Sequence, residues 1–193
     1  MKGKFAAAVL FTAMGLASTA MAQDGQVNFT GKIIEAGCKI NGSVTSSQDV
    51  KLGEVSKTAF TAAGSTAATT KFSLVLTACP AELLGKPVSV KYDGMPDTLN
   101  NDYLQITGYG TTGVAKGVAI QLLNSDTSEL PLGTESKSVT IASDAAEETN
   151  LDFFARYIAT EDSVSGGDAN GVVNFTLTYN KSRGIYSLVL VNQ

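Results

Sequence analysis

The 193 residues carry 14 Lys and Arg against 18 Asp and Glu, and no histidine, for a net charge of −4. An acidic chain of this kind is a poor partner for nucleic acid or for an anionic membrane surface. Without histidine it has no Ser-His-Asp or Cys-His nucleophile system and no imidazole metal site.

The first 22 residues read as a signal peptide. Lys2 and Lys4 precede the apolar run Phe5–Leu16, and Ala20-Met21-Ala22 is a small-x-small cleavage site. That run is too short to span a bilayer. Export is therefore expected, with the mature chain starting at Gln23. Loss of the two lysines leaves 12 basic residues against 18 acidic ones, a net charge of −6. Val, Thr, Ser, Gly and Ala dominate and no long helical period appears, so the class is all-β.

Asp24–Ile34 alternates. Gly25, Val27, Phe29, Gly31 and Ile33 fall on one face of a strand, and polar residues fall on the other. Two of the five inward positions are glycine, which a strand gains little from within its own domain. Two readings stand at this point: an edge strand of the chain's own sandwich, or a strand offered to a neighbouring molecule. Gly31–Ile40 continues the run to Cys38. Asn41–Gln48 is a turn, Val50–Val55 a short strand with a glycine at 53, and Thr58–Thr70 a loop. Lys71–Thr77 points Phe72, Leu74 and Leu76 inward and delivers Cys79.

An even cysteine pair in an exported chain reads as a disulfide. Forty residues lie between Cys38 and Cys79. Closing a loop of that length stabilises by roughly 4 kcal/mol in the chain-entropy treatment.

Pro80–Pro87 is a connection and Val88–Tyr92 a strand. Asp93–Gly113 is an irregular excursion with a short strand at Leu104–Ile106. Val118–Leu123 is a strand, Asn124–Gly133 turn material, and Val139–Ile141 a short strand. Ser143–Asn150 is acidic, with room for one helical turn. Leu151–Ile158 and Val172–Tyr179 alternate cleanly, the latter through Val173, Phe175, Leu177 and Tyr179. About seven or eight strands at spacings of roughly 10–20 residues suggest an immunoglobulin-type β-sandwich. No tryptophan stands between the cysteines, so it is not an antibody-like domain.

No stretch carries a catalytic constellation, and neither an enzyme nor a cofactor is expected. Gly108–Gly113 matches G-x-G-x-x-G, but a strand follows it where dinucleotide binding needs a helix N-terminus. Asp144, Glu147, Glu148 and Asp152 lack the glycine-centred spacing of a calcium loop and read as a solvated acidic edge. Glu161-Asp162 reads the same way. The sequons at Asn28, Asn41 and Asn174 carry no weight, since two of them fall inside expected strands.

Four features in order carry a resemblance. They are Gly25-x-Val27-x-Phe29-x-Gly31-x-Ile33-x-x-Ala36-x-Cys38, then Leu74-x-Leu76-x-x-Cys79, then Val118–Leu123 after a glycine-rich loop, then Val173-x-Phe175-x-Leu177-x-Tyr179-Asn180. Over roughly Gly25 to Asn180 the chain resembles the pilin subunits of the chaperone–usher pathway, and is most similar to type 1 fimbrial major subunits.

The resemblance implies an incomplete immunoglobulin-like sandwich whose final strand is missing. Val173, Phe175, Leu177 and Tyr179 would line the resulting groove. A periplasmic chaperone would fill the groove first. The N-terminal extension of the next subunit, residues 23–34, would then replace it as a donor strand, at an outer-membrane usher, to give a homopolymeric fimbria on the cell surface. Val27, Phe29 and Ile33 would plug pockets and Gly31 would face a shallow one. Gly25 would sit at the outer end, where many relatives carry a larger residue. The pilin domain would span residues 31–180. An exported monomeric binding module, for example for carbohydrate, is the alternative.

Relatives end near Tyr179-Asn180, whereas this chain continues from Lys181 to Gln193. That places its carboxylate away from the position a chaperone would grip. Tyr186, Leu188 and Leu190 form one face of this strand-like extension, which is expected to fold back along Val172–Tyr179 in an isolated chain. A frayed tail or an altered reading frame are the other readings.

Overall fold

The computed structural model describes residues 33–34, 36–43 and 47–179. The expected signal segment, Gly25, Val27, Phe29 and Gly31 of the donor stretch, Asn180 and the 181–193 extension lie outside the described residues. By internal contacts the chain divides into Met1–Ile34 and Glu35–Gln193. Of the first unit only Ile33 and Ile34 are described, and Ile33 is 98 % exposed.

The second unit is built from seven described strands. They are β1 (Lys39–Ile40), β2 (Thr66–Thr77), β3 (Pro87–Gly94), β4 (Val118–Asn124), β5 (Val139–Thr140), β6 (Thr149–Ala159) and β7 (Val173–Tyr179). One sheet runs β1-β2-β6-β4 and the other β5-β3-β7. Every pairing is antiparallel. The only described helical pieces are two short 3-10 turns, Lys57–Ala59 and Ala81–Leu83.

Alternation explains which side chains meet between the sheets. Leu74 and Leu76 of β2, Leu151 and Phe153 of β6, and Ile120 and Leu122 of β4 are buried on one side, and Val88, Val90 and Tyr92 of β3 on the other. Tyr92 meets Phe153 edge-on with ring centres 5.3 Å apart, and Phe72 at 6.3 Å. Such pairs add about 0.5–1.5 kcal/mol each beyond burial.

The Tyr92 hydroxyl is buried without a hydrogen-bond partner among the described residues. Burial alone pushes its pKa well up, so it stays protonated. A buried polar group left unpaired costs about 1–3 kcal/mol. Tyr92→Phe is therefore expected to hold or raise the melting temperature. Tyr92→Ala, which removes the ring that bridges the sheets, should cost about 3–5 kcal/mol. Thermal unfolding of both variants checks this.

Several elements differ from the sequence reading. Val50–Val55 is not a strand: it has no strand partner among the described residues, and Gly53 sits at φ +77°. The first strand is confined, among the described residues, to Lys39–Ile40. β2 begins at Thr66, inside the expected loop. Its pairing with β6 shifts register between Ala67 and Thr70, with Ala68 at φ +57°. That bulge interrupts the period of two, and Ala-Ala-Thr-Thr offers no apolar contrast to reveal a strand. Leu104–Ile106 forms no strand: Leu104 makes isolated bridges to Pro96 and to Ile120, exchanging backbone bonds of 2.8 and 2.9 Å with Ile120. The acidic stretch holds a turn instead of a helix, with the Asp144 carboxylate accepting from the Ala146 N–H at 2.9 Å.

Candidate functional site

β7 lies at the edge of its sheet, and among the described residues its only strand partner is β3. Val173, Phe175, Leu177 and Tyr179 stand opposite Gly94, Tyr92, Val90 and Val88. The two strands share a face, yet their burial differs. Val88, Val90 and Tyr92 are fully covered, while the four β7 residues are only half-buried. Phe175 shows the boundary: its ring packs 6.4 Å from that of Tyr92, and it remains part-exposed. An apolar row that lies inward but is only half-buried makes a trough along a strand edge.

One end of the trough is tied shut. The Cys38 N–H donates to the Tyr179 hydroxyl at 3.1 Å, a contact across 141 positions. Burial pushes the Tyr179 hydroxyl pKa up, and the Cys38 bond pulls the other way. Gly37 permits the approach, since a Cβ there would lie 2.9 Å from the Tyr179 Oη. Cys38 is joined by a disulfide to Cys79, just past the end of β2. The tie therefore runs from β7 to the start of β1 and on to β2, from one sheet to the other.

Residues 167–170, which lead into β7, face Gly53–Val55 across a cavity of about 290 Å³, with Phe60, Val118 and Tyr157 among its lining. The Tyr157 hydroxyl donates to the Ala169 carbonyl at 3.0 Å and holds this loop. Residues 47–55 make no backbone–backbone hydrogen bond to a described residue, and Val50, Leu52 and Val55 are half-buried. Backbone edges without a partner among the described residues, beside half-buried apolar side chains, are what an added strand needs.

Of the five inward donor-stretch residues only Ile33 is described; Gly25, Val27, Phe29 and Gly31 lie outside the described residues. Sequence reasoning missed Gly37, Phe60 and Tyr157. Gly37 sits beside Cys38 in the quoted motif, but nothing local signals its contact with Tyr179. The glycine-rich loop 108–113 leads to β4 and not to a helix. Among the described residues no group of three or more Cys, Asp or Glu is placed to hold a metal ion.

The family model described as Fimbrial protein matches residues 27–180. A type-1 fimbrial protein subunit of Serratia marcescens is 34% identical, covering 84% of this chain and 91% of its own length. Long polar fimbria protein A of Salmonella typhimurium is 31% identical, covering 91% and 94%. The crystal structure of a Burkholderia pseudomallei antigen and type I fimbria protein is similar with a TM-score of 0.56 at 37% identity, over 80% of this chain and 97% of that one. The P pilus rod subunit PapA is similar in fold with a TM-score of 0.60 at 22% identity, over 75% and 100%.

Proposed function

The chain belongs to the fimbrial protein family, and from that premise we propose that this structural fimbrial subunit polymerises by strand donation, residues 25–33 of one copy lying along β7 of the next. The protein is not an enzyme; it is a subunit of a surface fimbria. The observation that carries the reading is the contrast between β3 and β7, a fully covered row and a half-buried one on one face of one sheet. In the proposed fibre Val27, Phe29 and Ile33 cover the β7 row, each contributing about 1.5–3 kcal/mol on full burial. Gly31 lies where the trough is shallow, and main-chain bonds to the β7 edge set the register. A periplasmic chaperone covers the same row beforehand, and an outer-membrane usher is where the exchange takes place.

Surface fibres tested by deletion address this function directly. Cells lacking the chain should lose a class of fibre that returns on complementation. Sheared fibres should run on a denaturing gel as a ladder that collapses to one subunit on heating or acidification. A monomer before and after heating would overturn the proposal.

Residues 181–193 lie beyond the stretch that the family model matches. Their apolar face, Tyr186, Leu188 and Leu190, suits the same trough, and we propose that in an isolated chain they compete for it. Truncation after Asn180 is then expected to lower the melting temperature of the isolated subunit and to raise its uptake of a peptide spanning residues 23–34. Equal stability and equal uptake would make the extension a passenger.

A further inference from the structure

Two large apolar side chains stand exposed where β7 begins. Val172, just before the strand, is 75 % exposed and Met95, just after β3, is 67 % exposed. Gly94 pairs with Val173, so Met95 and Val172 adjoin. Met95 also opens a hairpin, where the Gln105 N–H donates to the Met95 carbonyl at 2.9 Å and the Asp97 N–H to the Tyr103 carbonyl at 2.9 Å. At the tip the Asp97 carboxylate accepts from the Leu99 N–H at 3.0 Å and the Asn100 N–H at 3.2 Å. Those bonds hold the tip in shape, yet Leu99 is 61 % exposed. A fixed tip that displays leucine, on a hairpin that starts at exposed methionine, is a surface built for contact.

We infer that Met95, Val172 and Leu99 receive the body of the second copy that donates its strand. The inference rests on the strand-donation reading and adds a contact outside the trough. The direction of the strand carries it. A strand that completes the sandwich beside β7 takes the direction a hairpin from β7 would give, antiparallel. The C-terminal end of the donor stretch then lies at the start of β7. Five inward donor residues, Gly25 to Ile33, meet four inward β7 residues, so Ile33 lies at or just beyond Val173. Three residues, and so four chain steps, separate Ile34 from Cys38, which is buried and disulfide-bonded in the donor's folded unit. At about 3.3–3.6 Å per residue, that unit begins within roughly 14 Å of the acceptor's Val172. Its chain after Ile34, with Ala36 exposed, must come down over this end of the acceptor.

Fibres of the full chain test this in two ways. Met95→Gln combined with Val172→Thr should leave the subunit's own melting temperature unchanged and still allow fibres to form. The urea midpoint for fibre dissociation should fall, while Met95→Leu with Val172→Ile should keep it. A photo-reactive amino acid at position 95 should cross-link in fibres to residues 34–40 of a second copy. An unchanged midpoint, a complete loss of fibres, or cross-links confined to the same chain would each overturn the inference. Phe29→Asp run in parallel keeps the two ideas apart: normal fibres from that variant defeat strand donation itself.

Discussion

Phe29→Asp is expected to leave a folded subunit that no longer assembles. Phe29 precedes Cys38 and every described strand in the sequence, within the stretch proposed to be donated to a neighbour, so the subunit's own core is expected to lose nothing. In assembly the effect is large because two terms add. About 1.5–3 kcal/mol of burial is lost. A carboxylate would also have to enter a row of Val173, Phe175 and Leu177 without a partner, at a cost of several kcal/mol. At 1.4 kcal/mol per tenfold in affinity, the sum exceeds a thousandfold. Gly31→Leu is expected to block assembly by overfilling, typically at about 1–3 kcal/mol. Circular dichroism on the purified subunit and negative-stain microscopy on expressing cells check both halves. Fibres of normal number and length would overturn the donor-strand assignment.

The second large effect belongs to the disulfide. Replacing Cys38 and Cys79 together by serine is expected to cost about 4 kcal/mol, read from urea unfolding. Domain stabilities of about 5–15 kcal/mol leave little after such a loss. The Cys38 N–H is also the group that ties Tyr179 to the first sheet, so the closed end of the trough should loosen as well. Mass spectrometry of the alkylated wild-type protein without reductant should find no free thiol. Two alkylated cysteines, or a serine pair within about 1 kcal/mol of wild type, would overturn the claim.

Most of the sandwich was legible because its strands have one wet and one dry face. The alternation in Leu151–Ile158 and Val172–Tyr179 placed β6 and β7 within two residues of their observed bounds. The misses have physical causes. At Val50–Val55 the apolar pattern of a strand is present, but a strand is defined by its partner, and none of the described residues supplies one. At Ala67–Thr70 a bulge breaks the period. Of the candidate site, the β7 row was legible from its period and the cysteine pair from composition. The Gly37–Cys38–Tyr179 tie was not, because residues 141 apart leave no local trace when they meet.

The disulfide also bears on how a fibre answers a pull. Load passed along the chain from Ile34 reaches Cys38 within four residues and crosses to Cys79 through sulfur. The 40 residues between them are bypassed. At about 3.5 Å per residue they would otherwise yield roughly 140 Å of extension per subunit. That length stays locked while the bond is intact, so tension is borne at once by β2 and the sheet paired to it.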